Sequence, residues 1–440
     1  MSALDSFGGP IGAIFVMFML PVIVYSLYFF CNKDQVVSVN PLSPDFFKFS
    51  VNPFAGGFAG FWSDIYSSKV MLGYTAWVFF CWLLYIVVPG EVVEGTVLKG
   101  KSGARLLYKV NALRCTFVVL VIVAVLVWAG ILSPTLGYDY FLQLLTASML
   151  FSFGLAAVLF VWSHAEVPSS LADKETDPSK QLSHTGNSGV AVYDFWMGRS
   201  LNPRIGFLDL KYVCELRPGL TLWALLNMSM AFKQYENFGY VTPSMYLVIL
   251  SEIYYAIDSH VYERAILTTM DITTDGFGYM LAFGDLCWVP FTFTVQARYL
   301  ADNPVQLHPL AILAIAALQL TGMYIFRSSN LQKNRFRNDP NHPAVAKLKS
   351  MQTRTGRKLL VDGWWAMSRH INYAGDLLLG LSWCLPTGLS TPITYFYIIY
   401  FTSLLLGRQA RDDKKCKEQY GEDWDKYCKA VPYKIFPYIY

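Results

Sequence analysis

The sequence predicts an all-α, polytopic membrane protein with about ten transmembrane helices and no soluble Rossmann domain. Three observations carry that expectation. Charged residues make up only 15% of the 440 residues while hydrophobic ones reach 54%, against about 25% charged in an ordinary soluble chain. Apolar runs recur, several of them reaching the roughly 20 residues that cross about 30 Å of hydrocarbon as a helix. Lysine and arginine are concentrated in alternate connections between those runs.

The runs lie near 11–31, 70–89, 113–134, 141–163, 219–236, 239–260, 278–296, 305–326, 372–389 and 391–406. "CTFVVLVIVAVLVWAGIL" (115–132) contains no charge at all. The runs at 219, 278 and 372 also carry polar residues. The first run, "IGAIFVMFMLPVIVYSLYFF", is longer than a signal-peptide core, has no basic flank before it and no small-residue cleavage site after it, so it is expected to be a permanent anchor. The 8 cysteines are scattered without a CxxC pair, and neither a disulfide framework nor a metal site is expected. No internal repeat of the kind that marks secondary transporters is visible.

Ten spans place the connections 90–112, 164–218, 261–277 and 327–371 and the tail 407–440 on one side. Of the 35 Lys and Arg, all but Lys33, Lys48, Lys69, Lys233 and Arg298 fall on that side or at its membrane edge. Basic connections stay cytosolic, so both termini are expected in the cytosol. The connection "VPSSLADKETDPSKQLSHTGNSGV" (167–190) is polar, small and charged, and reads as a mobile loop.

Two basic segments stand out. One runs from Arg327 through Lys333, Arg335, Arg337, Lys347, Lys349, Arg354, Arg357 and Lys358, and the other holds Arg408, Arg411, Lys414, Lys415 and Lys417. They flank one short apolar hairpin and so must approach each other. Charge alone leaves two readings: topology determinants touching anionic membrane lipids, or a phosphate site, because arginine makes planar bidentate contacts to phosphate. Nothing in the pattern points to nucleic acid.

No G-x-G-x-x-G opens a βαβ unit, since "GFGYML" (276–281) lacks the third glycine; no Walker A or HExxH motif occurs. A nucleotide, if bound, must be held by the membrane bundle itself. Ionisable residues inside apolar runs are costly and mark functional positions. In "YLVILSEIYYAIDSHVYE" (246–263), Glu252, Tyr255 and Asp258 recur every three residues and share one helix face. That stripe is either a polar helix–helix seam or a proton-donating group, because a carboxyl shielded from water keeps its proton at neutral pH. Asp285 in "FGDLCW" is a second buried acid; His260 and His370 have no nearby ligand partners and read as packing residues.

Four stretches resemble the sterol reductase family of ten-span membrane enzymes, nearest to its Δ14 branch. They are "LNPRIGFLDLKYVCELRPG" (201–219), "LTTMDITTDGFGYMLAFGDLCWVPFTFTVQARYL" (267–300), "KLLVDGWWAMSRHINYAGDLLLGLSWCLPTG" (358–388) and "GRQARDDKKCKEQYGEDWDKYCKAVPYKIFPYIY" (407–440). The match begins near 193; the earlier spans agree only in number and apolarity. The resemblance implies an NADPH pocket at the cytosolic face, drawn from Lys333 and Arg337, from Leu360, Trp365, Asn372 and Tyr373, and from Asp412, Cys416, Lys417, Glu418, Gln419, Tyr420 and Tyr427. It also implies Tyr255 and Asp258 as the proton-donating pair, and a sterol entering from the bilayer.

On that resemblance the expected activity is NADPH-dependent reduction of a sterol C14–C15 double bond in the endoplasmic reticulum membrane. Residues 1–218 supply N-terminal helices and loops. Residues 219–440 supply the sterol and NADPH pockets of one integral domain. An isolated alkene will not take hydride before it is protonated, so an acid and a hydride donor are both required. Rival readings are a sister reductase acting on Δ7 or Δ24(28) bonds, an isoprenylcysteine-type methyltransferase, a non-catalytic nuclear-membrane anchor and a transporter. The ten spans and the acid-bearing sixth run speak against the methyltransferase. An anchor would be expected to carry a soluble basic N-terminal module ahead of a first span that here starts by about residue 11.

Overall fold

Apolar runs have no water to satisfy their peptide groups, so they bond internally and become helices. The computed structural model describes residues 6–32, 35–36, 57–97, 104–167 and 177–440, and it is mostly helical. Four helices are long and apolar enough to cross a membrane: Gly9–Phe29, Gly57–Val87 (broken at Tyr66 and Ser67), Phe141–Glu166 and Pro309–Asn338. Ala112–Trp128 is equally apolar over 17 residues. Their outer faces expose Ile11, Phe18, Leu72, Phe117, Trp128 and Leu320, as expected where lipid replaces water.

Four of the remaining runs also fold as helices: Pro218–Phe238, Pro243–Val261, Ile371–Cys384 and Phe396–Tyr420. The run expected at 278–296 departs from that pattern. It breaks into Tyr279–Phe283, a π-turn at Gly284–Trp288, Val289–Thr292 and Val295–Asp302. Pro290 has no N–H to give the carbonyl of Leu286. The Tyr74 hydroxyl donates to that oxygen instead, at 2.6 Å.

The described strands form two-stranded antiparallel hairpins. Glu91–Glu94 pairs Leu107–Val110, with Glu91 opposite Val110. Ser350–Gln352 pairs Lys358–Leu360, with Ser350 opposite Leu360. Of the polar connection 167–190, residues 168–176 lie outside the described residues. The part after them is tied down, with Ser183 N–H bonded to Arg199 O at 2.8 Å and Asp194 receiving the N–H groups of Ser188 and Gly189 at 2.8 and 3.0 Å. Two of the five exceptional cations have structural explanations. Arg298 is buried on the rings of Tyr28 and Phe141, 4.3 and 4.7 Å from their centroids. Lys233 pairs Asp139 and Glu236.

The chain divides into two compact units: Met1–Val241 with Ile249–Pro304, and Thr242–Val248 with Val305–Tyr440. In the first, Phe141–Glu166 packs on Ser68–Val87 and Tyr279–Phe283, and Pro218–Phe238 packs on Val295–Asp302. Its buried polar knot is built around Glu263. That carboxylate takes Arg217 at 2.5 Å, the Tyr212 hydroxyl at 2.6 Å and the backbone N–H of Ala112 at 2.7 Å. Arg217 also bonds Asn111 and lies against the faces of Tyr85 and Tyr212. The stretch 201–219 therefore ties the start of Ala112–Trp128 to the end of Pro243–Val261.

In the second unit, Pro309–Asn338 and Ile371–Cys384 lie along each other. They meet backbone to backbone at two glycines. A Cβ on Gly322 would stand 2.8 Å from Gly375 O, and one on Gly375 would stand 2.6 Å from Phe326 N. Small residues allow this approach in an apolar bundle. The approach fixes the polar ends of both helices, where the resemblance assigns the cofactor residues.

Candidate functional site

The acid stripe is set by how its helix begins. Pro218–Phe238 stops at Gly239, whose φ of +76° suits glycine. Pro243 then opens the next helix, and the Thr242 hydroxyl caps it by accepting Met245 N–H at 3.2 Å. Nine residues into that helix stands Glu252, followed at three-residue spacing by Tyr255 and Asp258. Glu252 is fully buried, Asp258 is 8% exposed and Tyr255 is half-buried. Glu252 Oε2 accepts Asn227 Nδ2–H at 2.7 Å and Trp223 Nε1–H at 3.1 Å. The Trp223 ring meets Tyr255 edge-on, with centroids 6.3 Å apart.

The expected cofactor residues gather within the second unit. The Lys333 ammonium stands 4.0 Å from the centroid of the Trp365 ring, whose Nε1–H donates to Ser329 O at 3.0 Å. Asn372 Nδ2–H donates to Asn330 Oδ1 at 3.3 Å, leaving Asn372 Oδ1 buried and unbonded among the described residues. Tyr373 lies beside the Asp412 carboxylate and stacks on His370, with centroids 4.9 Å apart. Arg337, Asp412, Cys416 and His370 are among the charged or titratable neighbours of Lys333.

The tail closes over this cluster. Arg369 N–H bonds Tyr433 O at 2.9 Å, His370 N–H bonds Lys434 O at 2.8 Å, and the Ser368 hydroxyl bonds Ile435 O at 2.7 Å. Tyr427 and Trp424 form an apolar cluster with Cys416 and Tyr420. Leu360 is buried in the hairpin. The run 416–420 divides by helical period: Cys416 and Tyr420 face the cluster, whereas Lys417, Glu418 and Gln419 are exposed and Lys417 pairs with Asp425. Sequence reasoning passed over several residues here. Ser329 and Asn330 hold Trp365 and Asn372, Arg369 faces Asp413 at 3.6 Å, and Asp376 is buried with Oδ1 unbonded among the described residues. The density of polar residues in "VDGWWAMSRHINYAGD" (361–376) was the available signal for Arg369 and Asp376.

Electrostatics of this cluster follow from burial. His370 is pushed down to about 3, first by desolvation and then by the charges of Lys333 and Arg369, so its ring is neutral. Burial pushes the Tyr427 phenol up to about 12 and raises the Cys416 thiol. The cluster thus presents cations, aromatic faces and neutral hydrogen-bonding groups. Those are the functions that hold phosphate, a flat ring, and ribose or carboxamide groups.

A mostly helical chain with four helices long and apolar enough to cross a membrane, an acid-bearing helix face in its first unit and a cation–aromatic cluster in its second, has the make-up of a membrane protein. The chain belongs to the Ergosterol biosynthesis ERG4/ERG24 family, whose profile matches residues 2–440. It is 44% identical to the Delta(14)-sterol reductase ERG24 of Candida albicans over 99% of this chain and 97% of that protein. It is 44% identical to the Delta(14)-sterol reductase erg24 of Schizosaccharomyces pombe with the same coverage. With the Delta(14)-sterol reductase TM7SF2 of Mus musculus the identity is 40%, over 99% of this chain and 97% of that protein.

Proposed function

We propose that this chain reduces the C14–C15 double bond of sterol biosynthesis intermediates, using NADPH, by protonation followed by hydride delivery. The observation that carries the reading is the Tyr255–Asp258 pair on a buried helix face, in a chain that matches Delta(14)-sterol reductases from end to end. Protonation of a Δ8,14-diene at C15 leaves an allylic tertiary cation at C14. Asp258, with Tyr255 as partner or relay, supplies the proton. The surrounding apolar helices keep water from that cation.

The residues of the second unit suit NADPH. Lys333 and Arg337 offer cations for phosphate, the Trp365 and Tyr373 rings offer flat faces, and Asn372 Oδ1 is a buried acceptor still unbonded among the described residues. When bound, the cofactor supplies the hydride. Leu360, Asp412, Cys416, Tyr420 and Tyr427 complete the proposed wall, and Lys417, Glu418 and Gln419 its outer rim. We place the chain in the endoplasmic reticulum membrane with about ten spans and the NADPH site facing the cytosol, both pockets being drawn from 219–440. The sterol enters from the bilayer, and membrane lipids contact the flanking basic segments.

Sterol profiling of cells lacking the protein tests this reading. Accumulation of Δ8,14 sterols, reversed by re-expression, is the expected result. Accumulation of Δ7 or Δ24(28) intermediates would move the chain to a sister reaction, and an unchanged profile would remove it from sterol reduction.

A further inference from the structure

The carboxyl of Glu252 is the one member of the acid stripe that the proposed mechanism leaves without a task. Its side chain, like those of Asn227 and Trp223, is 0% exposed. Oε2 accepts two N–H bonds, from Asn227 Nδ2 at 2.7 Å and Trp223 Nε1 at 3.1 Å. Two buried oxygens remain without a hydrogen bond among the described residues: Glu252 Oε1 and Asn227 Oδ1. Both are acceptors if the acid is ionised, and two orphaned acceptors in an apolar interior are costly. The side-chain partners of Glu252 among the described residues, Asn227 and Trp223, are both neutral and do not balance a charge. A single proton on Oε1 removes the conflict. It makes Oε1 a donor, and a carboxylic acid can pair with an amide through both atoms, with Nδ2–H to Oε2 as observed and Oε1–H offered to the unbonded Oδ1.

We infer that Glu252 is held as a neutral carboxylic acid whose role is to position Tyr255 through Trp223. The indole N–H is fixed by Glu252 Oε2. The indole ring then meets Tyr255 at 6.3 Å between centroids and 66° between planes, and meets Phe293 at 5.4 Å and 79°. Edge-to-face contacts orient rings. The carboxyl on one helix thus determines where a phenol three residues later on the same helix can point, by way of a tryptophan on the helix Pro218–Phe238. Glu252 does not need to touch substrate for this and is a positioning residue. The inference rests on the reading of Tyr255 and Asp258 as the proton-donating pair.

The chemistry makes an unusual demand on variants. A glutamine carries a donor and an acceptor in the same places as a protonated glutamate, whereas alanine carries neither. Full-length protein in detergent should show an infrared C=O band of a protonated carboxyl that disappears in Glu252→Gln. Glu252→Ala should lower kcat by about tenfold or more while the NADPH KM stays within about twofold, the pattern of a disturbed proton-transfer geometry. Glu252→Gln should recover most of that kcat together with the wild-type solvent isotope effect. Trp223→Phe, which keeps a ring and loses the N–H, should reproduce part of the alanine defect, and it serves as the kinetic test if Glu252→Ala does not fold.

A wild-type spectrum without that band, or one unchanged in Glu252→Gln, would overturn the neutral acid. Glu252→Gln as slow as Glu252→Ala, or Trp223→Phe with wild-type kcat, would overturn the positioning role. Normal turnover in both Tyr255→Phe and Asp258→Asn would remove the donor reading and the positioning role with it, and the infrared band would still report the acid–amide pair separately.

Discussion

Lys333 holds its ammonium 4.0 Å from the centroid of the Trp365 ring, a contact between one helix of the second unit and the short helix Trp364–Met367. The pairing puts a cation and a large aromatic face in one place, with Arg337 one turn along the same helix. A cation–π contact contributes roughly 0.5–2 kcal/mol; a charged hydrogen bond to phosphate contributes about 1.5–3 kcal/mol.

Lys333→Ala and Arg337→Ala should therefore each weaken NADPH binding by about 1.5–3 kcal/mol, roughly ten- to a hundredfold in Kd. Binding followed by cofactor fluorescence checks this without turnover. NADPH should be preferred over NADH, because the surplus of cations favours the 2′-phosphate. Equal affinity for both cofactors would sink the phosphate assignment.

Asn372→Ala should abolish reduction with normal membrane insertion, because it removes both the bond to Asn330 and the buried free acceptor. Trp365→Ala should do the same by releasing Ser329 O and leaving Lys333 without its ring. Near-wild-type turnover at modest NADPH in either variant would take that residue out of the cofactor wall.

Asp258→Asn keeps size and removes the acid. It should cut kcat by roughly a hundredfold or more, the scale of general acid catalysis, and NADPH affinity should hold. Tyr255→Phe should show a related defect, and the double variant should be markedly non-additive. Comparing turnover in H₂O and D₂O separates proton transfer from packing; a purely structural role predicts lower thermal stability with normal kcat.

Glu263→Gln should destabilise the first unit by about 3–5 kcal/mol, because it leaves the buried Arg217 guanidinium without its counter-charge. Thermal unfolding in detergent is the measurement. An unchanged midpoint would mean that the knot of Arg217, Tyr212 and Ala112 does not hold these helix ends together.

The His370 ring gives a pH signature. Its folded pKa of about 3 lies below the unfolded value of about 6.5, so the unfolded chain takes a proton in that window and the folded protein does not. The stability contributed is present above about pH 6.5 and is lost as pH falls toward about 3, by up to roughly 1.4 kcal/mol per pH unit. His370→Gln should flatten the fall in thermal midpoint between about pH 7 and about pH 5 relative to wild type. An identical fall in both proteins would show that the ring protonates freely in the folded state.

The sequence by itself determined that this is a helical membrane protein, because hydropathy sums locally: a charge-free stretch such as 115–132 has no other stable form in or near lipid. It also carried the family, since the four long stretches hold their residue order however the chain folds. The three-residue spacing of Glu252, Tyr255 and Asp258 put them on one face without any tertiary information. Only the tertiary structure decided which atoms meet. That Leu286 O, left without an N–H by Pro290, is satisfied by Tyr74, 212 residues away, could not be read from the segment 278–296 itself. That Asn330 and Ser329 support Asn372 and Trp365 depends on two glycines letting two helices touch. That Cys416 and Tyr420 face inward while Lys417 to Gln419 do not depends on which side of Phe396–Tyr420 packs against Glu422–Ala430. That Glu252 accepts a hydrogen bond from Asn227 depends on the crossing of two helices whose sequences carry no mark of it. Hydrophobic pattern is a property of each segment, whereas a hydrogen bond is a property of a pair, and pairs exist only once the chain has packed.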